Sequence, residues 1–293
     1  MEENVSVQWF PGHMAKTRRK IKENLALVDA VAEIIDARIP QSSRNPEIDA
    51  LVAAKPRLVL MNKADVADPI ENKKWIRWFE ERGITALPVD CKTGAGLNRV
   101  LPTVRTLLAD KIAGWQQKGM AGRSIKIMVV GIPNVGKSSF INRMAKGDSA
   151  KVENRPGVTR GNQWFSLGKG YELLDTPGVL WPKFDDPKVG ERLAFTGAVK
   201  DEILDAEQLA ARLSWILWNE HRELLCARYK LSGTEQPENG FELLEMIARR
   251  RGMLIPGGEA DTERAANAVL EEFRAGKIGR ITLECRSSSV KTT

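Results

Sequence analysis

The sequence predicts an α/β fold, in which a mostly parallel sheet carries helices on both faces, followed by a smaller part made only of helices. In the first part of the chain, apolar β-branched runs that end at polar or glycine-rich turns alternate with amphipathic stretches, as in parallel sheets. After about Trp181 only helical periodicity remains. A chain of 293 residues can hold one sizeable core and a smaller second one. We therefore expect domains over residues 1–181 and 182–293, joined by the proline-containing stretch 181–190.

Five runs are the expected strands of the sheet. In chain order they are AVAEIIDAR, RLVLMNKAD, ITALPVDCKTG, IKIMVVGIPNVGKSS and YELLDTPG. The expected helices between them include NKKWIRWFEERG and GLNRVLPTVRTLLADKIAGW. In a parallel sheet the functional loops lie at the carboxyl ends of the strands. The main motifs described below follow these runs, so we expect them at one edge of the sheet.

The rest of the chain, after about Trp181, shows helical periodicity. Asp205 and Gln208 have the spacing of an N-cap and its box partner, which predicts that a helix begins there. Further helices are expected over residues 240–251 and 262–274. The apolar faces are formed by Leu209, Leu213, Ile216, Leu217 and Leu224, and by Ala266, Val269, Leu270 and Phe273.

The composition is that of an ordinary globular protein, with 42% hydrophobic and 28% charged residues. No apolar run approaches the roughly 20 residues of a membrane span. The first ten residues, MEENVSVQWF, are acidic where a secretory signal is basic, so export is not expected. Three widely spaced cysteines fit neither a disulfide framework nor a zinc site. We therefore expect a cytoplasmic protein without a membrane partner.

The segment GIPNVGKSS, residues 131–139, matches the phosphate-binding pattern G-x-x-x-x-G-K-[ST] and directly follows an expected strand. Gly131 and Gly136 allow backbone N–H groups to converge on phosphate oxygens at the N-terminus of the next helix. Lys137 would reach the β and γ phosphates, and Ser138 would ligate Mg²⁺. The alternative is a glycine-rich turn between a strand and a helix.

Base recognition is predicted at NKAD, residues 62–65. The Asp65 carboxylate can accept two hydrogen bonds from guanine, whereas adenine would present a lone pair to it in a desolvated pocket. Asn62 would bond the base or brace the phosphate loop, and the Lys63 stem can cover the ring. The DCKTGAG loop, residues 90–96, could bring N–H groups near the base oxygen. By itself each segment is also common turn chemistry.

Two further segments predict contacts to the γ phosphate and to Mg²⁺. In DTPG, residues 175–178, Asp175 would hold Mg²⁺ through water and the Gly178 N–H would meet the γ phosphate. In PGVTR, the Thr159 hydroxyl is an expected metal ligand. An ordinary D-x-P-G turn is the alternative for DTPG. The expected nucleotide-binding residues are Asn62, Lys63, Ala64, Asp65, Cys91, Lys92, Asn134, Val135, Gly136, Lys137, Ser138, Ser139, Thr159 and Gly178.

These motifs resemble those of the translation-factor-like P-loop GTPases, but their order is changed. NKAD and DCKTGAG come first, and GIPNVGKSS, GVTR and DTPG follow. A circular permutation of a Ras-like domain gives this order, which a compact domain with neighbouring termini tolerates. Together with WFPGHM, residues 9–14, the order resembles the bacterial ribosome biogenesis GTPase A subfamily. The resemblance implies GTP hydrolysis with Mg²⁺, an action on the maturing large ribosomal subunit, and a C-terminal helical domain that contacts RNA.

The catalytic residues depart from the commonest GTPase pattern. Val179 and Leu180 follow DTPG where a water-orienting glutamine often stands, and neither can polarise water. The resemblance implies that His13 positions the attacking water, with Lys137 also catalytic; a cap or an RNA contact is the alternative for His13. Similar potassium-stimulated GTPases imply that Asn134 helps to hold K⁺ against the phosphates; the alternative is a plain residue of the phosphate loop whose side chain merely braces the switch.

The basic residues indicate a polyanionic partner. The net charge is +7, and basic residues cluster in three places. We expect contact with rRNA rather than DNA, and a monomer. Two alternatives stay open, namely a GTPase for another RNA target and a GTP-dependent binding module with negligible turnover. Because DTPG leads within a few residues into the helical part, its rearrangement is expected to reorient that part. The clusters are Lys16, Arg18, Arg19, Lys20 and Lys22; Arg249–Arg251; and Arg274, Lys277 and Arg280.

Overall fold

A computed structural model describes residues 14–120, 122–146, 152–153, 163–168, 170–178, 180–181, 184, 186–199 and 205–286. The described chain forms two compact units. The first unit contains the described residues before Asp186 together with residues 284–286, and the second spans Asp186–Leu283. The chain therefore leaves the first unit once and returns to it about a hundred residues later.

The first unit alternates strands and helices. Its elements in chain order are α1 (Met14–Leu25), β1 (Ala30–Asp36), α2 (Pro46–Val52), β2 (Arg57–Asn62), α3 (Pro69–Glu80), β3 (Thr85–Pro88), α4 (Val100–Leu107), α5 (Ala109–Gln117), β4 (Ile125–Val130), α6 (Lys137–Lys146), β5 (Val152–Glu153), β6 (Gln163–Ser166) and β7 (Tyr171–Asp175). A short 3₁₀ turn, Leu97–Arg99, precedes α4.

The strands form one sheet in the order β3-β2-β1-β4-β7-β6-β5. The first five of these strands run parallel, and β6 and β5 pair antiparallel at one edge. The predicted mostly parallel sheet is confirmed, whereas the antiparallel edge was not predicted. Strands of four and two residues are too short to show a periodicity in the sequence.

The centre of the sheet is buried on both faces. Every residue of β1 is buried, as are the last five of β2, which explains their mostly apolar sequences. On one face Trp75 and Phe79 of α3 pack against Ile35, Val59 and Met61. Burying an aromatic ring of this size stabilises a fold by about 1.5–3 kcal/mol. The helix that carries these rings is capped at its N-terminus by Asp68, whose carboxylate accepts from the Ile70 N–H at 2.7 Å.

Residues 284–286, which we call the return segment, pack on the first unit. The buried Glu284 carboxylate accepts hydrogen bonds from the backbone N–H groups of Gln41 and Ser42, at 2.6 and 3.1 Å, and from the Ser42 hydroxyl. The Glu284 carbonyl accepts from the Trp75 indole at 2.7 Å. The Arg286 guanidinium lies 4.8 Å from the centre of the same ring. The return segment thus orders the loop that follows β1.

The second unit is helical, with α8 at its centre. Its helices are α7 (Pro187–Phe195), α8 (Ala206–Glu220), α9 (Arg222–Tyr229), α10 (Gly240–Arg250) and α11 (Thr262–Arg274). The predicted N-cap is confirmed, since Asp205 accepts from the Gln208 N–H at 3.1 Å. The expected helices near residues 240 and 262 are confirmed as α10 and α11. The single long apolar face was wrong beyond His221, where the backbone (φ −137°, ψ 37°) ends α8 and puts Leu224 into α9.

Close packing holds the helices of the second unit together. A side chain at Gly240 would place its Cβ 2.0 Å from the Ala211 carbonyl oxygen, so α10 begins in direct contact with α8. Glu272 of α11 accepts from Arg228 at 2.8 Å and from Arg251 at 3.0 Å. No helix in the described ranges combines the length and the apolar character of a membrane span.

Candidate functional site

Loops at the carboxyl ends of four parallel strands form the candidate site. The loops 62–65 and 90–96, which follow β2 and β3, are called the base side below. The loops 131–139 and 175–178, which follow β4 and β7, are called the phosphate side. The parallel register places the two sides next to each other, because β1 pairs with β2 on one flank and with β4 on the other.

Glycines shape the cradle of the phosphate side. Gly131 has a φ of +153°, and a Cβ there would lie 2.5 Å from the Ile34 carbonyl oxygen. Gly136 has a φ of +108°, and its Cβ would lie 2.2 Å from the Asn62 amide nitrogen. Helix α6 begins at the next residue, so its unpaired N–H groups face the cradle. Only glycine fits at these two positions, and the resulting space suits phosphate oxygens.

Lys137 and Asp175 face each other across the phosphate side. Lys137 is buried and donates to the Ile132 carbonyl at 2.7 Å. Burial lowers the pKa of Lys137 to about 8, and the charge of Asp175 opposes this shift. Burial also raises the pKa of Asp175, against the opposing effects of Lys137 and a hydrogen bond from the Thr176 N–H. Each charge is therefore only partly compensated by the protein itself.

The 175–178 loop packs directly on the phosphate loop. The Thr176 hydroxyl donates to the Val129 carbonyl at 2.6 Å, which ties this loop to β4. A Cβ at Gly178 would lie 2.7 Å from the Lys137 Nζ and 2.9 Å from the Pro133 nitrogen. Gly178 is therefore a glycine because the phosphate loop approaches it closely.

The donor set of this side fits Mg²⁺ rather than a metal held by many side chains. Within the described ranges no group of three or more His, Cys, Asp and Glu side chains is arranged to hold a metal ion. Asp175 offers one carboxylate, and the exposed Ser138 offers a hydroxyl in the first turn of α6. Mg²⁺ usually takes few protein ligands and completes its shell with phosphate oxygens and water. The exposed Ser139 lies beside Ser138.

Asn62 joins three loops on the base side. Its amide nitrogen donates to the Val135 carbonyl of the phosphate loop at 2.7 Å, and its oxygen accepts from the Cys91 N–H at 2.9 Å. The sequence left two roles open for Asn62, bonding the base and bracing the phosphate loop. Its hydrogen bond to Val135 is the one expected of a brace. The Cys91 thiol is buried, and burial, aided by the charge of Asp90, raises its pKa to about 12. Cys91 is thus a neutral structural residue whose backbone N–H is engaged within the protein.

The 90–96 loop is closed by Asp90. Its carboxylate accepts from the Lys92 N–H at 2.7 Å and from the Thr93 N–H at 3.2 Å. Gly94 has a φ of +94° and lies against Arg143 of α6, which donates to the Thr93 carbonyl. The sequence suggested that N–H groups of this loop lie near the base oxygen. In the structure those of Cys91 and Lys92 are both bonded inside the protein.

Lys63 bridges the two sides of the site. Its backbone has a φ of +60°, and its ammonium lies 2.9 Å from Asp36 Oδ2 and 3.3 Å from the Asn134 carbonyl oxygen. Asn134 itself has a φ of +56° and is exposed. Ala64 donates its N–H to the Val89 carbonyl at 3.2 Å, and Asp65 is exposed at the rim of the loop.

Sequence reasoning missed Asp36 and Arg38 as members of this site. Asp36 ends β1, and its buried carboxylate accepts from Arg38 Nε at 2.9 Å and from Arg38 Nη2 at 2.7 Å. A signal was present, since Asp36 ends a mostly apolar strand and a second charged residue, Arg38, follows two positions later. The remaining predicted residues, His13 and Thr159, lie outside the described residues, as does Val179.

Comparison with known proteins identifies the family. A family profile described as "50S ribosome-binding GTPase" matches residues 126–221. A protein of Priestia megaterium named ribosome biogenesis GTPase A is 48% identical over 281 residues, which cover 96% of this chain and 97% of that protein. This chain belongs to the ribosome biogenesis GTPase A family. The mouse mitochondrial ribosome-associated GTPase 1 is 35% identical over 94% of this chain and 90% of its own length.

Solved structures agree with this assignment. GDP-bound YlqF of Thermotoga maritima has a TM-score of 0.63 at 29% identity, covering 91% of this chain and 99% of its own. The GNP-bound form of that protein gives a TM-score of 0.62 at 28% identity, with 92% and 98% coverage. The predicted α/β GTPase fold with permuted motifs and the predicted family are confirmed.

Proposed function

We propose that this protein hydrolyses GTP to GDP and phosphate and acts in the cytoplasm as an assembly factor in late maturation of the large ribosomal subunit, in contact with rRNA. The observation that carries the proposal is the convergence of the base side and the phosphate side at one edge of the sheet, with Asn62 tying them together. The names of the family relatives and of the matched profile support the ribosomal role.

The residues of the site divide the work of nucleotide binding. Asp65 reads guanine through two accepted hydrogen bonds, and Lys63 covers the ring. The backbone from Asn134 to Ser139 holds the phosphates, and Lys137 offsets their charge. Ser138, Thr159 and Asp175 hold Mg²⁺, Asp175 through water, while Gly178 donates its N–H to the γ phosphate. When bound, Mg²⁺ neutralises charge that develops on the phosphates during transfer.

Catalysis requires a group that orients water. Leu180 is buried and apolar, so it cannot do so. We assign this role to His13, whose imidazole can hydrogen-bond water near neutral pH. K⁺ held near Asn134 would add positive charge beside the phosphates.

The helical second unit is the proposed RNA-contacting part. Arg249, Lys277 and Arg280 are exposed and offer their charges to a phosphate backbone. Arg274 instead stabilises the second unit, because its guanidinium donates to the carbonyls of Phe195 and Ala194 at 3.1 and 2.8 Å. In the first unit, Arg18, Arg19 and Lys22 of α1 add a second exposed basic face.

Two alternatives remain distinct from this proposal. A GTP-dependent RNA-binding module with negligible turnover is favoured by one observation, namely that two apolar residues, Val179 and then Leu180, follow DTPG where GTPases often carry a glutamine that orients water. A GTPase for another RNA target differs only in its partner. Turnover distinguishes the first alternative, and co-sedimentation with isolated large and small subunits distinguishes the second.

The test is steady-state GTP hydrolysis in potassium and in sodium buffer, with purified large subunits added or omitted. We expect large subunits to raise kcat, and His13→Ala to remove that rise while GDP affinity is kept. His221→Ala is the matched control, since the chain has only two histidines and His221 lies in the second unit. If large subunits leave the rate unchanged and do not co-sediment with the protein, the assembly role is wrong.

A further inference from the structure

A buried charge cluster lies beside the nucleotide loops and outside their motifs. Asp36 and Arg38 have side chains only 3% and 1% exposed. Arg38 binds Asp36 through its guanidinium and also donates its backbone N–H to the same carboxylate at 3.0 Å. Burial works against the charge of Asp36, but Arg38 and Lys63 hold its pKa well below the usual range. Asp36 is thus an anion throughout the physiological pH range.

The position of Asp36 follows from the register of the sheet. Strands β1 and β2 pair in parallel, with Asp36 opposite Asn62. Lys63 is the next residue, and its positive φ turns the chain at the end of β2. The Asp36 N–H donates to the Ser43 hydroxyl at 2.9 Å, which also fixes the loop after β1. The carboxylate is therefore presented to Lys63 by two rigid strands.

Asp36 and the phosphate loop together anchor the Lys63 ammonium. Nζ has Asp36 Oδ2 on one side, at 2.9 Å, and the Asn134 carbonyl oxygen on the other, at 3.3 Å. A lysine side chain is flexible and has no preferred direction of its own. With its end held at two oxygens, the stem spans from the base side to the phosphate side before any ligand binds. Ordering a side chain in advance removes a cost from binding.

We propose that Asp36 is a positioning residue for guanine-nucleotide binding, and that with Arg38 as its buried counter-ion it fixes the Lys63 side chain across the site. The inference rests on the proposed function, because it concerns the nucleotide that the site takes. Its effect falls on binding of the guanosine part, which GDP and GTP share. Affinity for both nucleotides and KM therefore depend on Asp36, whereas kcat at saturating GTP does not.

The test is a double-mutant cycle on GDP affinity. Asp36→Asn alone would leave the Arg38 guanidinium buried without its partner and could unfold the protein. The paired variant Asp36→Asn/Arg38→Met removes both charges together. It is measured with Lys63 in place and again in a Lys63→Met background, by fluorescence titration with labelled GDP.

We expect the paired variant to weaken GDP binding about tenfold when Lys63 is present, and less than about twofold in the Lys63→Met background. KM for GTP should rise by the same factor, with kcat kept within about twofold. An equal loss in the two backgrounds would show that Asp36 acts only through the general fold. Unchanged affinity in both would also overturn the inference.

The matched control is another buried ion cluster on the same strand. Glu33 of β1 is paired with Arg44 at 3.3 Å and with Arg57 at 3.4 Å. It lies before Asp36 in the strand and therefore further from the loop that carries Lys63. Glu33→Gln/Arg44→Met should lower stability without changing GDP affinity. If the unmodified protein fails to bind GDP at all, the proposed function fails; if it binds GDP and the cycle shows no coupling, only the role of Asp36 fails.

Discussion

The base side and the phosphate side of the site differ in how far the protein itself pairs their polar and charged groups. On the base side, both the nitrogen and the oxygen of the Asn62 side-chain amide are hydrogen-bonded, and the Lys63 ammonium is paired with the Asp36 carboxylate. On the phosphate side, Lys137 is buried and Asp175 is half-buried, and the loss of solvent shifts their pKa values toward the neutral forms. The base side is therefore assembled by the protein alone. The phosphate side is completed by a ligand that brings its own charges.

The largest effect should come from removing the brace between the sides. Asn62→Ala leaves the Val135 carbonyl and the Cys91 N–H without their partner, at about 1–3 kcal/mol for each buried group. We expect GDP affinity to fall about 100-fold, measured by fluorescence titration.

Asn98→Ala is the control for this change, because Asn98 is exposed in the short turn before α4. A loss below about threefold in Asn62→Ala would mean that the two sides are held together by other contacts.

A second effect tests the loop after β1, which follows the strand that carries Asp36. Glu284→Ala removes the acceptor for the N–H groups of Gln41 and Ser42 in the loop after β1. We expect the free energy of unfolding of the first unit to fall by about 2 kcal/mol, measured by urea denaturation.

Cys285→Ala, an exposed neighbour in the return segment, is the control and should leave stability unchanged. If Glu284→Ala is as stable as the unmodified protein, the loop after β1 does not need the return segment.

The smallest effect is a pH dependence confined to the phosphate side. With a pKa of about 8, Lys137 loses its proton in the free protein as pH rises, whereas phosphate binding requires the ammonium. GDP affinity should therefore fall about fourfold from pH 7.0 to 8.5, with uptake of roughly three-quarters of a proton at pH 8.5. Calorimetry in buffers of different ionisation enthalpy measures this uptake.

The sign for stability is opposite. Above pH 8 the unfolded chain keeps the Lys137 proton and the folded chain does not, so this residue makes the unliganded protein more stable as pH rises toward 10.5. Guanosine, which has no phosphate, is the control ligand and should bind without proton uptake between pH 7.0 and 8.5. Proton uptake with guanosine would contradict the assignment to Lys137.

Local chemistry is what made the fold and the motif loops predictable. Gly131, Gly136 and Gly178 are needed at their positions because other atoms approach where a Cβ would lie, and such needs are visible as motifs. The permuted order followed from those motifs alone. By contrast, the pairing of Asp36 with Lys63 depends on the parallel register of β1 and β2, which a sequence pattern does not state.

Contacts between residues far apart in the sequence could not be predicted from local patterns. Glu284 bonds Ser42 across 242 residues, and no local pattern marks it as a partner of that loop. The break at His221 lies within a stretch whose apolar spacing suits one continuous helix, so the spacing alone does not mark where α8 ends. The roles of His13 and Thr159 stay predictions.

The return segment also sets an order of events during synthesis. Strand β1 and the loop after it are synthesised before the helical unit, and Glu284 follows only when that whole unit has been made. Until then the backbone N–H groups of Gln41 and Ser42 can only be satisfied by water or by temporary partners. The nascent GTPase unit thus remains unfinished while its helical insertion is translated, and the loop after β1 is closed by a residue made 242 positions after Ser42.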